Sequence, residues 1–185
     1  MSATSFKTKF TIILAVSFIS LGGFASFTTI ISPPTAFATQ VKTTSIKLNE
    51  NQAVEKFNQK FPNTNINKIS LKVINGKYQY KISGFNSKRT YVAKIDAKTG
   101  KVTSAVSEKG RNSENKGSLD LTKTIRRTEA NHIAEKVVKN SKGIKWQLES
   151  RDDTVIWKVT VRKNSQKSIV KINALDKKII SVNKN

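Results

Sequence analysis

The 185-residue chain has no cysteine, one histidine, one methionine and three prolines, and it is short of acid. Without cysteine, neither a disulfide framework nor a thiolate metal site can be built. The lone histidine, His132, excludes a paired-histidine metal site and any mechanism that needs two imidazoles. No Gly-x-Ser-x-Gly elbow presents a serine nucleophile, no glycine-rich loop is placed to cradle phosphate, and there is no His-Glu-x-x-His. Only 12 Asp and Glu stand against 34 Lys and Arg, for a formal charge of +22. Such an excess favours association with polyanions and carries no information about fold. The basic residues are spread over every segment, often alternating with apolar ones, as the solvated face of a sheet requires.

What is present begins with a leader. Residues 1–9 hold Lys7 and Lys9 and no acid, and the 22 residues from Phe10 to Ile31 are uncharged. Pro33-Pro34 follow, then the small-residue triplet Ala36-Phe37-Ala38. A positive start, an apolar run and an A-x-A triplet form the secretory signal pattern. Residues 1–38 therefore read as a signal peptide cut after Ala38. The alternative is an uncleaved anchor, since about 20 apolar residues span a bilayer. Either way the body lies outside the cytoplasmic membrane, extracellular or in the cell envelope. Lys7 and Lys9 account for two of the 22 net charges, so the body keeps +20.

After a short spacer, 39–44, the body contains an internal repeat. Ala53-Val54-Glu55-Lys56-Phe57 matches Ile133-Ala134-Glu135-Lys136-Val137 at a spacing of 80, while Lys94-Ile95-Asp96-Ala97 matches Lys171-Ile172-Asn173-Ala174 at 77. The difference implies a three-residue deletion in the second copy, between helix and strands. In the first copy Asn49 and Gln52 form a capping box, Ala53, Phe57 and Phe61 share a helix face, and Pro62 stops the helix. In the second, Thr128 is the expected cap, Ala130, Ile133, Ala134, Val137 and Val138 form the apolar stripe, and Gly143 ends the helix. Strands follow by period-2 alternation. Ile69, Leu71 and Val73 run to Asn75-Gly76, a strong hairpin signal. Tyr78, Tyr80 and Ile82 come next, then a loose turn over Gly84–Lys88, then Tyr91, Ala93 and Ile95, a turn at Asp96–Gly100, and Val102. The second copy repeats this with Trp146 and Leu148, Val155 to Val161, Ile169 to Ile172, and Ile179 to Val182. The expected class is α+β: two tandem small repeats, at 45–107 and 123–185, each one helix packed on an antiparallel meander of three or four strands. The stretch 108–122, rich in Gly, Ser, Asn and charge, reads as a flexible linker between two separate small layers.

The motif Tyr91-Val92-Ala93-Lys94-Ile95-Asp96-Ala97-Lys98-Thr99-Gly100-Lys101-Val102, set after a capped helix and an Asn-Gly hairpin, resembles the PepSY family of peptidase-propeptide-like domains. The resemblance covers nearly all of 45–106 and, more weakly, 123–184. The second copy departs from it, with Asn173 for the Asp and Lys177 for the Gly. The resemblance implies a cystatin-like helix-on-sheet fold and a role in restraining peptidases outside the membrane. No peptidase domain accompanies the repeats within this sequence.

Other constellations have plainer readings. Glu129, His132 and Glu135, at i, i+3 and i+6, could suggest a weak metal or proton-sensing site but read as the polar face of a helix opposite Ala130, Ile133 and Val137. Asp96, Asp152 and Asp153 each fall in an expected turn. Tyr78, Tyr80, Trp146 and Trp157 interleave with lysines as in single-strand nucleic-acid grooves, yet keep the period of neighbouring Leu, Val and Ile and read as core. No catalytic residue, no cofactor, no metal and no nucleic-acid partner is expected. The leading reading is an exported, non-catalytic binding module of the cell envelope that engages or restrains an extracellular peptidase or another envelope protein. The turn at Asp96, Thr99 and Gly100 is its candidate partner-binding surface. The alternative is a basic protein retained by anionic wall polymers or lipid headgroups without a specific protein partner.

Overall fold

The computed structural model describes residues 45–109, 117–151 and 154–184. The leader and its cleavage point, the spacer 39–44, the middle of the linker and Asp152-Asp153 lie outside the described residues.

Helix α1 (Glu50–Lys60) begins where the capping box places it. Asn49 Oδ1 accepts from the Gln52 amide and Gln52 Oε1 from the Asn49 amide, both at 2.9 Å, so two otherwise orphaned donors are satisfied. Strands β1 (Asn65–Ile74), β2 (Lys77–Phe85), β3 (Arg89–Asp96) and β4 (Val102–Lys109) follow. The β1–β2 turn has both central residues in the left-handed region, Asn75 at φ 48° and Gly76 at φ 72°. That geometry matches the twist of the flanking strands. Gly84 lies within β2, and the next turn is confined to Asn86–Lys88, where Asn86 Oδ1 accepts from the Lys88 and Arg89 amides. Helix α2 (Arg127–Val137) and strands β5 (Lys142–Arg151), β6 (Thr154–Lys163), β7 (Gln166–Asn173) and β8 (Ile179–Lys184) repeat the order.

The two copies are not separate layers. β1 pairs antiparallel with β5, which joins two meanders into one eight-stranded antiparallel sheet of order β4-β3-β2-β1-β5-β6-β7-β8. Both α1 and α2 pack on this sheet. Its helix-covered face carries the core: Ile69, Leu71, Tyr80, Ile82 and Ile95 from one half, and Trp146, Leu148, Trp157, Val159 and Ile172 from the other. Small repeats of about 60 residues bury too little surface to be comfortable alone. Pairing β1 with β5 merges their cores and removes two strand edges.

The structure also corrects the alignment of the copies. Every element of the second begins 77 residues after its counterpart, helices included, so there is no deletion. Ala53 and Phe57 correspond to Ala130 and Ala134, and all four are fully buried. The apparent match at 80 rested on Ala, Glu and Lys, common helix formers that any two helices share. What fixes register is the burial of a particular face. Accordingly α2 starts at Arg127 with Arg126 at the N-cap, where no side chain caps it, and Thr128 lies inside the first turn. The helix ends at Val137, which is exposed. Gly143 lies within β5.

The copies distribute bulk differently. Phe57 packs edge-on to Phe61, and Phe61 meets Tyr91 with ring centroids 4.9 Å apart. The corresponding positions in the second copy hold Ala134, Val138 and Ser168. There the large rings are Trp146, in the place of Ile69, and Trp157, in the place of Tyr80.

Candidate functional site

The turn singled out in the sequence joins β3 to β4. Asp96 Oδ1 accepts from the amides of Lys98 (2.9 Å) and Thr99 (2.8 Å) and from the Thr99 hydroxyl (3.0 Å). The Gly100 amide donates to the Asp96 carbonyl, and the Asp96 amide to that of Lys101. The Thr99 amide leads the bonds that hold the Asp96 carboxyl below its usual range, against slight burial. Gly100 has φ 75°, and a Cβ there would lie 3.3 Å from Leu48 Cδ2. A side chain at this position would be both strained and crowded. The hydrogen-bonding groups of Asp96 and Thr99 are thus turned on the turn itself, while Lys98 and the outer side of Thr99 face solvent.

The second copy builds the same turn with different residues. Asn173 Oδ1 accepts from Leu175 at 2.9 Å and Asp176 at 3.4 Å, and Lys177 takes the left-handed position at φ 67°. A neutral amide oxygen replaces the carboxylate without loss of the local fold. The acid of Asp96 is therefore dispensable for turn formation.

Each turn is tied to the segment before its helix. The Lys47 and Leu48 amides donate to the Ala97 carbonyl, and in the second copy the Ile125 amide donates to that of Ala174. Tyr80 Oη donates to the Leu48 carbonyl and Trp157 Nε1 to the Ile125 carbonyl, both at 2.9 Å. Tyrosine and tryptophan, 77 residues apart, do one job with different atoms. Burial pushes the Tyr80 phenol well above its ordinary value, so it remains a donor.

At the centre of the helical side the two N-termini meet. Arg127 Nε donates to Glu50 Oε1 at 3.0 Å, and the guanidinium lies 5.2 Å from the Trp146 ring centroid. Glu50, Thr122, Arg126 and Thr128 line a shallow cleft here over Leu148 and Trp157. Sequence reasoning missed this pair. The signal was available only in an alignment at 77, which sets Glu50 and Arg127 at one position. The Glu129, His132 and Glu135 trio is not drawn together. Glu129 pairs with Lys177 at 2.7 Å, and Glu135 accepts from the Gly143 amide at 2.8 Å. Among the described residues no cluster of three or more His, Cys, Asp or Glu could hold a metal ion. No described helix is long and apolar enough to cross a membrane.

The family model described as peptidase propeptide and YPEB domain, PepSY, matches residues 47–106 and again 124–183. The chain belongs to the PepSY family. Its two PepSY copies are tandem, and the matched segments are themselves 77 residues apart, in agreement with the structural register. Among solved structures, this PepSY chain is similar to a provisionally assigned lipoprotein of Clostridium difficile 630, at 25% identity and TM-score 0.68, covering 77% of this chain and 96% of that one. YpmB of Bacillus subtilis aligns at 15% identity and TM-score 0.35, over 75% of this chain and all of that one. No curated protein matches the sequence.

Proposed function

We propose that this PepSY protein is an exported, non-catalytic module of the cell envelope that engages an extracellular peptidase and holds it in check. The observation that carries the reading is the free edge of β4. Among the described residues this strand ends the sheet and pairs only with β3, and it continues directly from the Asp96–Gly100 turn. An edge strand offers a row of unpaired amides and carbonyls to an extended segment of a partner. The exposed Lys98 and Thr99 stand at the start of that edge and would select among partners. Membership of a family named for peptidase propeptides supplies the class of partner. The leader pattern, with the likeness to a provisionally assigned lipoprotein, supports a place outside the cytoplasmic membrane.

The test is inhibition of an extracellular metallopeptidase from the same source by residues Gln40–Asn185, the compact unit that contains every described residue. The protein should slow that peptidase while leaving peptide and ester substrates untouched on its own. Proline placed along β4 divides the positions in two. Where it removes an amide bonded to β3, the sheet is destabilised. Where it removes an outward amide, the protein should fold and fail to inhibit. Turnover by the protein itself that His132→Ala abolishes would overturn the non-catalytic reading. Inhibition untouched by every outward proline would overturn the edge.

A further inference from the structure

The face of the sheet opposite the helices carries charge in an ordered arrangement. The strand registers align Ser104, Lys94, Lys81 and Ser70 across β4, β3, β2 and β1, and then Gln147, Lys158, Lys171 and Ser181 across β5 to β8. Positions 77 apart are related: Lys94 to Lys171, Lys81 to Lys158, Ser104 to Ser181. The row is therefore pseudo-symmetric about the Ser70–Gln147 pair, with two lysines on either side and no acid within it. At about 4.8 Å per strand it runs roughly 24 Å from Lys94 to Lys171. Lys81, Lys94 and Lys171 make no ion pair with a described residue. Glu149, in the adjacent row, takes Lys68 at 3.2 Å and Lys158. On the other flank Lys72 and Lys145 are directly opposed across β1–β5. Like charges placed so are unfavourable for pairing. The fold bears that cost at its own central seam, and a bound anion would remove it.

We propose that this row binds a linear phosphodiester polymer laid across the strands, a surface distinct from the β4 edge. Three features suit that occupant. The row's cations are all lysine, compact point charges that meet phosphate without a fixed fork geometry, and the comparison with polyglutamate reads whether they prefer it to carboxylate. Its centre holds no cation: Ser70, whose hydroxyl donates to the Lys81 carbonyl, and Gln147, whose side-chain amide donates to Glu149, separate the lysine pairs. Successive strands rotate by about 20–25°, which turns Lys94 and Lys171 far apart in direction. A flexible polymer can follow that twist; a flat lipid surface would touch only part of the row.

Binding of poly(glycerol phosphate) to Gln40–Asn185 tests the proposal, with polyglutamate and phosphatidylglycerol vesicles as comparison probes. Lys158 is held by Glu149, so the three unpaired lysines, Lys81, Lys94 and Lys171, predict a slope of log K against log salt of about −2, at about 0.7 per contact. The double substitution Lys94→Gln with Lys171→Gln should cut the slope to about a third and weaken binding by tenfold or more at low salt. Lys60→Gln with Lys136→Gln, which removes the same charge from the helical side, should change binding less than twofold. Circular dichroism of both variants checks that the sheet is intact. Equal weakening by the two pairs would show attraction by net charge alone and overturn the row. Equal affinity for polyglutamate, or row-dependent binding to vesicles but not to the polymer, would overturn the phosphodiester assignment. Peptidase inhibition is read separately and bears only on the β4 edge.

Discussion

Glu50 and Arg127 occupy the same position in the two copies, the first residue of each helix, and are bonded to each other at 3.0 Å. The copies are thus tied where their symmetry relates them, and the tie works because the two residues differ. Their side chains are only 12% and 15% exposed. Arg127→Ala would leave the Glu50 carboxylate largely buried without its cation. The expected cost is about 2–4 kcal/mol, near the range for breaking a buried pair. Glu50→Ala with Arg127→Ala should cost at least about 1 kcal/mol less than the sum of the single changes. Denaturant unfolding of the four proteins measures this, and simple additivity would mean that the pair is not coupled.

Trp157 anchors the second half. Trp157→Ala should cost about 3–5 kcal/mol, a large share of a typical domain's stability. Trp157→Phe keeps most of the ring but abandons the Ile125 carbonyl, for about 1–3 kcal/mol. Lys81→Ala, on the open face, should stay within about 0.5 kcal/mol. Thermal melts that ranked Lys81→Ala beside Trp157→Ala would contradict the assignment of the two sheet faces.

The Asp96 turn predicts a pH effect. Its folded carboxyl lies below the ordinary value, so the stability it contributes is present above the unfolded value near 3.9 and is lost as pH falls through the folded one. Asp96→Asn imports the solution that Asn173 already uses in the second copy. It should melt like the parent at pH 7 and lose less stability below about pH 4. Glu149 still contributes to acid sensitivity, because Lys158 and Lys68 outweigh the burial that would raise it. The loss is therefore reduced rather than abolished. Identical acid melting profiles for parent and variant would refute this account.

Gly100 and Lys177 sit at one position, both in the left-handed region, at φ 75° and 67°. Lys177→Gly should stabilise by about 0.5 kcal/mol. Relief of backbone strain of about 1 kcal/mol is partly offset by the lost, largely exposed pair with Glu129 and by a freer unfolded chain. Gly100→Ala should destabilise by about 1–2 kcal/mol, because strain is added to the Leu48 contact. A pair of melts decides it, and a stabilising Gly100→Ala would be the contrary result.

Where local side-chain chemistry specifies local geometry, the sequence was enough. The Asn49–Gln52 box set the start of α1, Asn75-Gly76 set a hairpin, and period-2 alternation put Tyr80 and Trp157 in the core. The Tyr91–Val102 motif carried the family. It was not enough for α2, whose start has no side-chain cap and whose residues suit more than one helical register. That register was chosen by burial of Ala130 and Ala134 against the sheet. Nor could it show that β1 and β5 pair, because the bonds that join them are backbone amides and carbonyls, which every residue carries alike. From that one pairing come the Glu50–Arg127 contact, the opposed Lys72 and Lys145, and the row of lysines across the open face. Each joins residues 73 or 77 positions apart across that seam, and only the tertiary structure decides which of them meet.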